Sequence, residues 1–191
     1  LCIPDQDSCD PGHIAVPTDG CVSLEPPGGC GDGTWGTIEA LPGDIYVDAS
    51  YVGESSDGTR EAPFASLAGA LEVVEEGGRI ALAAGEYTDG IAFTQSTSII
   101  GRCSSMVSIT GLKPSLSGFN AVIQVRAGSE STLRDLTVSG EGVGINVVQK
   151  SSVTLERVIL SNTVGGGLVV VGSETVVTGS DVHITGAHPS E

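Results

Sequence analysis

Over the last third of the chain apolar and polar residues alternate, and the alternation itself recurs about every 22 residues. Residues 121–140 read AVIQVRAGSESTLRDLTVSG, residues 143–162 read VGINVVQKSSVTLERVILSN, and residues 166–186 read GGLVVVGSETVVTGSDVHITG. Superposed, they give four apolar columns: Ile123, Ile145, Leu168; Val125, Val147, Val170; Leu136, Val158, Val182; and Val138, Leu160, Ile184. The first step is 22 residues and the second 23, rising to 24 after Thr178, which predicts a one-residue insertion near Gly179. Alternation with period two is the pattern of a strand with one buried face. Short strands of this kind, separated by Gly, Ser and Asn at a fixed period, predict a solenoid.

Upstream the pattern is less regular. GDIYVDA, residues 43–49, reads as a strand and is followed by the acidic turn SYVGESSDGTR. In APFASLAGALEVVEEGG the residues Leu67, Ala70, Leu71 and Val74 form one helical stripe, Ser66 stands at the N-cap, and Gly77 and Gly78 end the element. That predicts a helix over about 66–76 whose stripe covers the first open layer of the solenoid. RIALAAG, GIAFTQ, TSIIG and MVSITG are strand-like, and regular coils run over about 121–186. Residues 1–42, rich in Cys, Pro, Gly and Asp, have no sustained periodicity and form a separate arm, leaving 43–191 to the solenoid.

Four of the five cysteines, Cys2, Cys9, Cys21 and Cys30, lie in that arm. Their intervals do not give the C-x₂₋₄-C spacing of a zinc site, so they read as disulfide staples in an oxidising compartment. Cys9 and Cys21 bracket a small closed loop. Cys103, isolated among the strands, takes Cys30 as the nearest cysteine in sequence, which leaves Cys2 for a partner upstream. A start at Leu1 and a stop at Glu191 just after a strand pattern are expected of a piece of a longer protein with its leader removed.

The segments IYVD, DGTREAPFASLAGAL, GGRIALAAGEY and GIAFTQSTSIIG give the order strand, acidic loop, Pro–aromatic, capping helix, then an A-x-G-x-Y stretch leading into stacked strands. In that order, over residues 43–186, the chain resembles the opening of pectin-lyase-like right-handed parallel β-helix proteins. The arm, with CGDGTWG ahead of the first strand, is similar to that of secreted bacterial members. The resemblance implies an all-β fold: a right-handed parallel β-helix with one N-terminal capping α-helix and a disulfide-stapled, loop-rich arm. It also implies an extracellular or bacterial cell-surface location. It implies no single activity, because the scaffold serves lyases, hydrolases, surface proteins and fibres.

Enzymes of that group work on the outer face of one sheet, with paired carboxylates or with a calcium-holding acidic cluster and a base. The rows outside the Ile/Val columns are Gln124, Asn146, Val169 and Arg126, Val148, Val171, with no carboxylate pair and no His. His183 and His188 stand at the far end without an acidic, Ser or Cys partner at a telling distance. Asp48, Glu54 and Asp57 are a candidate Ca²⁺ set, although turn chemistry accounts for them more simply. Arg134/Glu156 and Asp135/Arg157, one coil apart, predict cross-coil ion pairs of small energetic value. Val148, Val169 and Val171 form an expected exposed patch, a candidate protein-docking or self-association surface.

Glycine is frequent, at 28 of 191 residues, and aromatics make up only 4 %, which suits tight turns and thin aliphatic layers. Trp35, Tyr46, Tyr51, Phe64, Tyr87, Phe93 and Phe119 are the aromatics; Trp35 and Phe64 read as core or cap residues, and none lies in the coils beyond 119. A formal charge of −16 excludes nucleic acid and anionic membranes as partners. No apolar run reaches the roughly 18–20 residues that span a bilayer. The expected function is a non-catalytic secreted or cell-surface structural and interaction module without a cofactor, assembling end to end or docking a protein. The alternatives are a polysaccharide lyase or glycoside hydrolase whose active-site coils lie outside this chain, and a carbohydrate-binding module using the N-terminal aromatics.

Overall fold

The computed structural model describes residues 9–10, 12–16, 18–113 and 120–186. Cys2, Phe119 and His188 lie outside the described residues. In the arm, β1 (His13–Val16) and β2 (Gly20–Ser23) pair as an antiparallel hairpin. There follow β3 (Ile45–Val47), α1 (Leu67–Val73), β4 (Gly78–Leu82) and β5 (Gly85–Tyr87), which build the lower rungs. Four turns stand on them: β6–β8 (Ile91–Phe93, Thr97–Gly101, Val107–Ile109), β9–β10 (Ala121–Val125, Glu130–Gly140), β11–β12 (Val143–Val148, Ser152–Thr163) and β13–β14 (Leu168–Val171, Val176–Thr185). The result is a parallel stacked-coil β-solenoid with 48 % strand and 4 % helix.

Each turn presents three faces. The first is the parallel ladder β6–β9–β11–β13. The second runs β3–β4–β7 and continues through the leading halves of β10, β12 and β14. The third is β5–β8 and the trailing halves of those same strands. A single residue in left-handed conformation divides the halves: Asp135 (φ 57°), Arg157 (φ 51°) and Asp181 (φ 54°). This one-residue corner redirects the strand, and pairing resumes at Leu136–Val158–Val182.

The four apolar columns are in register as the alternation predicts. They extend downward through Ile91 and Phe93 on the first face and through Tyr87 and Ile109 on the third. Stacking is what makes the interior, since one coil alone has nothing to bury its inward row against. At about 1.5–3 kcal/mol per buried aliphatic side chain, each interior rung contributes several kcal/mol before chain entropy is subtracted.

The extra residues do not sit near Gly179. One is Asn162 (φ 51°), a bulge between the Ser139–Ser161 and Gly140–Thr163 pairs. The other lies in the turn from Gly172 to Thr175, because Val148 pairs with Val171 but Ser152 pairs with Val176. An insertion inside a rung would turn every following side chain to the wrong face, so additions collect at bulges and turns.

Helix α1 is shorter than the stripe suggests. Ser66 caps it, its Oγ accepting from the Gly69 amide at 3.3 Å, but Val74 already has extended backbone. Gly77 has φ 76° and the Gly78 amide donates to the Glu75 carbonyl at 2.8 Å, so the chain turns before another helical turn can form. Leu67 and Ala70 are fully buried in the same core as Val47 and Ile80, closing that end of the solenoid.

The arm covers the outside of the second face. Tyr46, Ala81 and Ile100 are register partners pointing outward, and Trp35 and Ile38 pack on them. Higher up, the same row becomes Arg134, Glu156 and Ser180, and the apolar cover is no longer needed. Three arginines fix the arm's carbonyls: Arg60 Nη2 donates to Ile38 O (2.8 Å), Arg79 Nη2 to Glu39 O (2.6 Å) and Arg102 Nη2 to Gly31 O (2.6 Å). The disulfide Cys30–Cys103 completes the attachment, while Cys9–Cys21 closes the hairpin within the arm, in the pairing set out from the sequence.

The outer row of the first face is not solvent-facing where the alternation places it outside. Gln124 is 3 % exposed and Asn146 1 %, and Gln124 Nε2 donates to the Lys113 carbonyl at 2.7 Å. Lys113, which bridges to Ala121, lies over Gln124. The expected Arg134–Glu156 pair is also absent among the described residues: Arg134 turns to Asp135 at 3.3 Å and Glu156 to Arg157.

Candidate functional site

Where the first face is covered, the third stays open. Its outward row is Glu86–Ser108–Thr137–Ile159, four residues in direct register on β5, β8, β10 and β12. A second outward pair, Ser161 and Thr185, continues it onto β14. This row is the floor of a cleft of about 590 Å³.

The walls come from two irregular segments. In the upper coils one residue turns the corner from the second face to the third; between β7 and β8 the chain instead makes a loop at 102–106. The Met106 and Val107 amides both donate to the Cys103 carbonyl at 3.0 Å, and Ser104 and Ser105 stand on the cleft side. Cys103 is in this loop, so the disulfide to Cys30 ties it to the arm. Opposite lie Cys9, Asp10, Gly12 and His13. Gly12 has φ 81°, and a Cβ there would meet Ser105 Cβ at 2.7 Å, so glycine is required for the arm to close on the loop. Thr137 Oγ1 donates to the Ser104 carbonyl at 2.7 Å, fixing the loop to the floor.

The lining is polar but short of charge. Among the described residues Asp10 and Glu86 are its carboxylates, His13 its imidazole, and no Lys or Arg lines it. Glu86 Oε1 accepts from Thr110 Oγ1 at 3.1 Å, which orients the carboxylate along the floor. Beside the cleft, His183 is the register partner of Ile159, and burial pushes its imidazole below its ordinary pKa. A second hollow, about 620 Å³, lies under the arm at Asp44, Arg79 and Glu76; there Asp44 is held by Arg79 and its geometry is that of a clamp.

The residues singled out from the sequence are distributed elsewhere. Asp48 Oδ1 accepts from the Ser50 amide (2.9 Å) and hydroxyl (2.6 Å), and Asp57 Oδ1 from the Thr59 amide (3.0 Å), so both close their own turns. They do not converge with Glu54. Among the described residues the one His/Cys/Asp/Glu group within metal-binding reach is Glu25, Cys30 and Cys103, whose two sulfurs are bonded to each other rather than available as thiolates. Val148 and Val171 are register partners on the first face; Val148 and Val169 are half-buried and Val171 is exposed. Exposure is higher along the β13–β14 edge itself, where the inward residues Val170 and Ile184 are 45 % and 46 % exposed. Trp35 packs edge-on to Tyr46 with centroids 4.8 Å apart, and neither ring faces the cleft.

Sequence reasoning missed the cleft. Its floor was readable as the alternate residues of the third strand, but its walls come from a loop and an arm distant in sequence. The chain matches no protein-family model, no curated protein and no solved structure in the comparisons made.

Proposed function

We propose that this protein is a non-catalytic interaction module of an oxidising, extracellular or cell-surface setting, and that it binds through the cleft between arm and third face. The observation that carries this reading is the cleft itself: an open hollow floored by regular rungs and walled by a disulfide-tied loop and arm. Two disulfides and the absence of any described helix long and apolar enough to cross a membrane are compatible with that setting.

The resemblance to pectin-lyase-like β-helices leaves the choice between binding and catalysis to the site. The outer row of the first face, where an enzyme of that group would be sought, is buried at Gln124 and Asn146. End-to-end stacking is less well supported than docking in the cleft, because α1 closes one end and leaves no second open face for a head-to-tail contact. Incubation of the full chain with polygalacturonate, glucan and xylan oligomers, read by mass spectrometry, tests the non-catalytic part. Intact oligomers are expected; unsaturated or hydrolysed products would overturn it.

A further inference from the structure

We infer that the hollow under the arm is a second docking surface, separate from the cleft. Its occupant is a basic segment of a partner protein, with an apolar residue set between lysines or arginines.

Apolar shape is the first argument. The hollow, about 620 Å³, lies where β3, β4 and β7 begin. That volume is within the range of ligand clefts, about 300–1,000 Å³. Leu41 of the arm and Val73, the last residue of α1, both line it and are 48 % and 50 % exposed. Two large aliphatic side chains left half in water around one hollow are stabilised when an apolar side chain seats between them. The segment does not add as a strand, because the free edge of β3 is already used. The Tyr46 amide donates to the Gly58 carbonyl at 2.8 Å, and the Phe64 amide to the Tyr46 carbonyl at 2.9 Å. Side chains, not backbone, must therefore hold the occupant.

Charge selects the occupant. Glu75 and Glu76 line the same hollow, and Glu72 is exposed next to Val73. All three crowd the C-terminal end of α1, where the helix dipole is already negative and no basic residue stands in the last turn. Acids placed there destabilise the free protein, and an incoming cation relieves them. The Ser96 amide donates to Glu76 Oε1 at 3.1 Å and holds that carboxylate in place. Among the described residues Arg79 is the one cation lining the hollow, and its guanidinium is committed to Asp44 and to the Glu39 carbonyl. A second copy of this chain, at formal charge −16, is repelled, whereas a basic segment is attracted.

The full chain is titrated by fluorescence anisotropy with four labelled heptapeptides. One has a central leucine flanked by lysines; in two others the same leucine is flanked by serines or by glutamates; the fourth has a central serine flanked by lysines. The lysine–leucine peptide is expected to bind at least about tenfold more tightly than the other three. Leu41→Ser and Glu75→Gln should each weaken it by at least about fivefold. Glu54→Gln, which removes the same charge outside the hollow, should leave it unchanged. Should a variant disturb the arm, methyl spectra of the unaltered chain give the answer, with shifts expected at Leu41, Ile45 and Val73. No binding of the lysine–leucine peptide, equal binding of the serine-centred one, or an equal loss with Glu54→Gln overturns the inference. So do methyl shifts at Val107 and Ile159 instead, which would move the segment to the cleft.

Discussion

Arg157 reaches across one coil and grips Asp135 with two bonds, Nε to Oδ1 at 2.5 Å and Nη2 to Oδ2 at 3.0 Å. Both residues hold the left-handed corner of their coil, and their side chains are 14 % and 5 % exposed. Fork geometry, two corners in register and little water make this pair stronger than the surface pair that the sequence spacing suggests.

Asp135→Asn keeps a side chain that tolerates the left-handed backbone and removes the charge that faces Arg157. We expect a loss of about 2 kcal/mol in urea denaturation. Arg134→Gln, which removes a more exposed partner of the same carboxylate, should cost less than about 1 kcal/mol. Equal losses would contradict the two-point grip.

At the base of the arm, burial pushes the Asp44 carboxyl up, but the Arg79 guanidinium and the Leu41 amide outweigh it and hold the group below its ordinary 3.8. A depressed carboxylate contributes stability that is present above the unfolded value of about 4 and is lost as pH falls through the lower folded value. Asp44→Asn should therefore melt below the parent at neutral pH, with the gap narrowing as pH falls below the ordinary carboxylate value of about 4. A gap that is constant from neutral to acid pH would refute the Arg79 clamp.

Cys30 and Cys103 close a loop of 73 residues, and Cys9 and Cys21 one of 12. Chain entropy alone assigns them roughly 4 and roughly 3 kcal/mol. Replacing Cys30 and Cys103 together by Ala should also free Trp35 from Tyr46, read as a red-shifted and more quenchable tryptophan emission. Unchanged emission would show that Trp35, Ile38 and the three arginines hold the arm without the bridge.

Val147 is fully buried between Val125 and Val170. Val147→Asp places an unpaired carboxylate inside the aliphatic column, and we expect loss of a single cooperative transition in thermal melts. An unchanged midpoint would mean that the side chain faces water.

The interior was legible in the sequence because its information is local: Ile123, Val125, Leu136 and Val138 repeat at positions that only a stacked strand buries together. What was not legible depends on segments that meet across long separations. Gln124 and Asn146 have the pattern of outward polar residues, yet both are buried, Gln124 against the Lys113 carbonyl, which the alternation does not show. Asn162 and the Gly172–Thr175 turn hold the insertions because a bulge and a turn absorb a residue without reversing the alternation, whereas the columns show only that the period has lengthened. The β1–β2 hairpin is too short to give a periodic signal. Gly12 and Ser105 meet although 93 positions apart, so nothing local marks the cleft wall they form.

The most direct test is a nuclear Overhauser map of the isotopically labelled chain. Unbroken methyl contacts are expected from Val125 to Val147 to Val170, together with contacts from Ser108 to Thr137 to Ile159 on the outer floor. Missing contacts along either series, or contacts of these residues with unrelated neighbours, would contradict both the winding of the chain and the cleft that the winding creates.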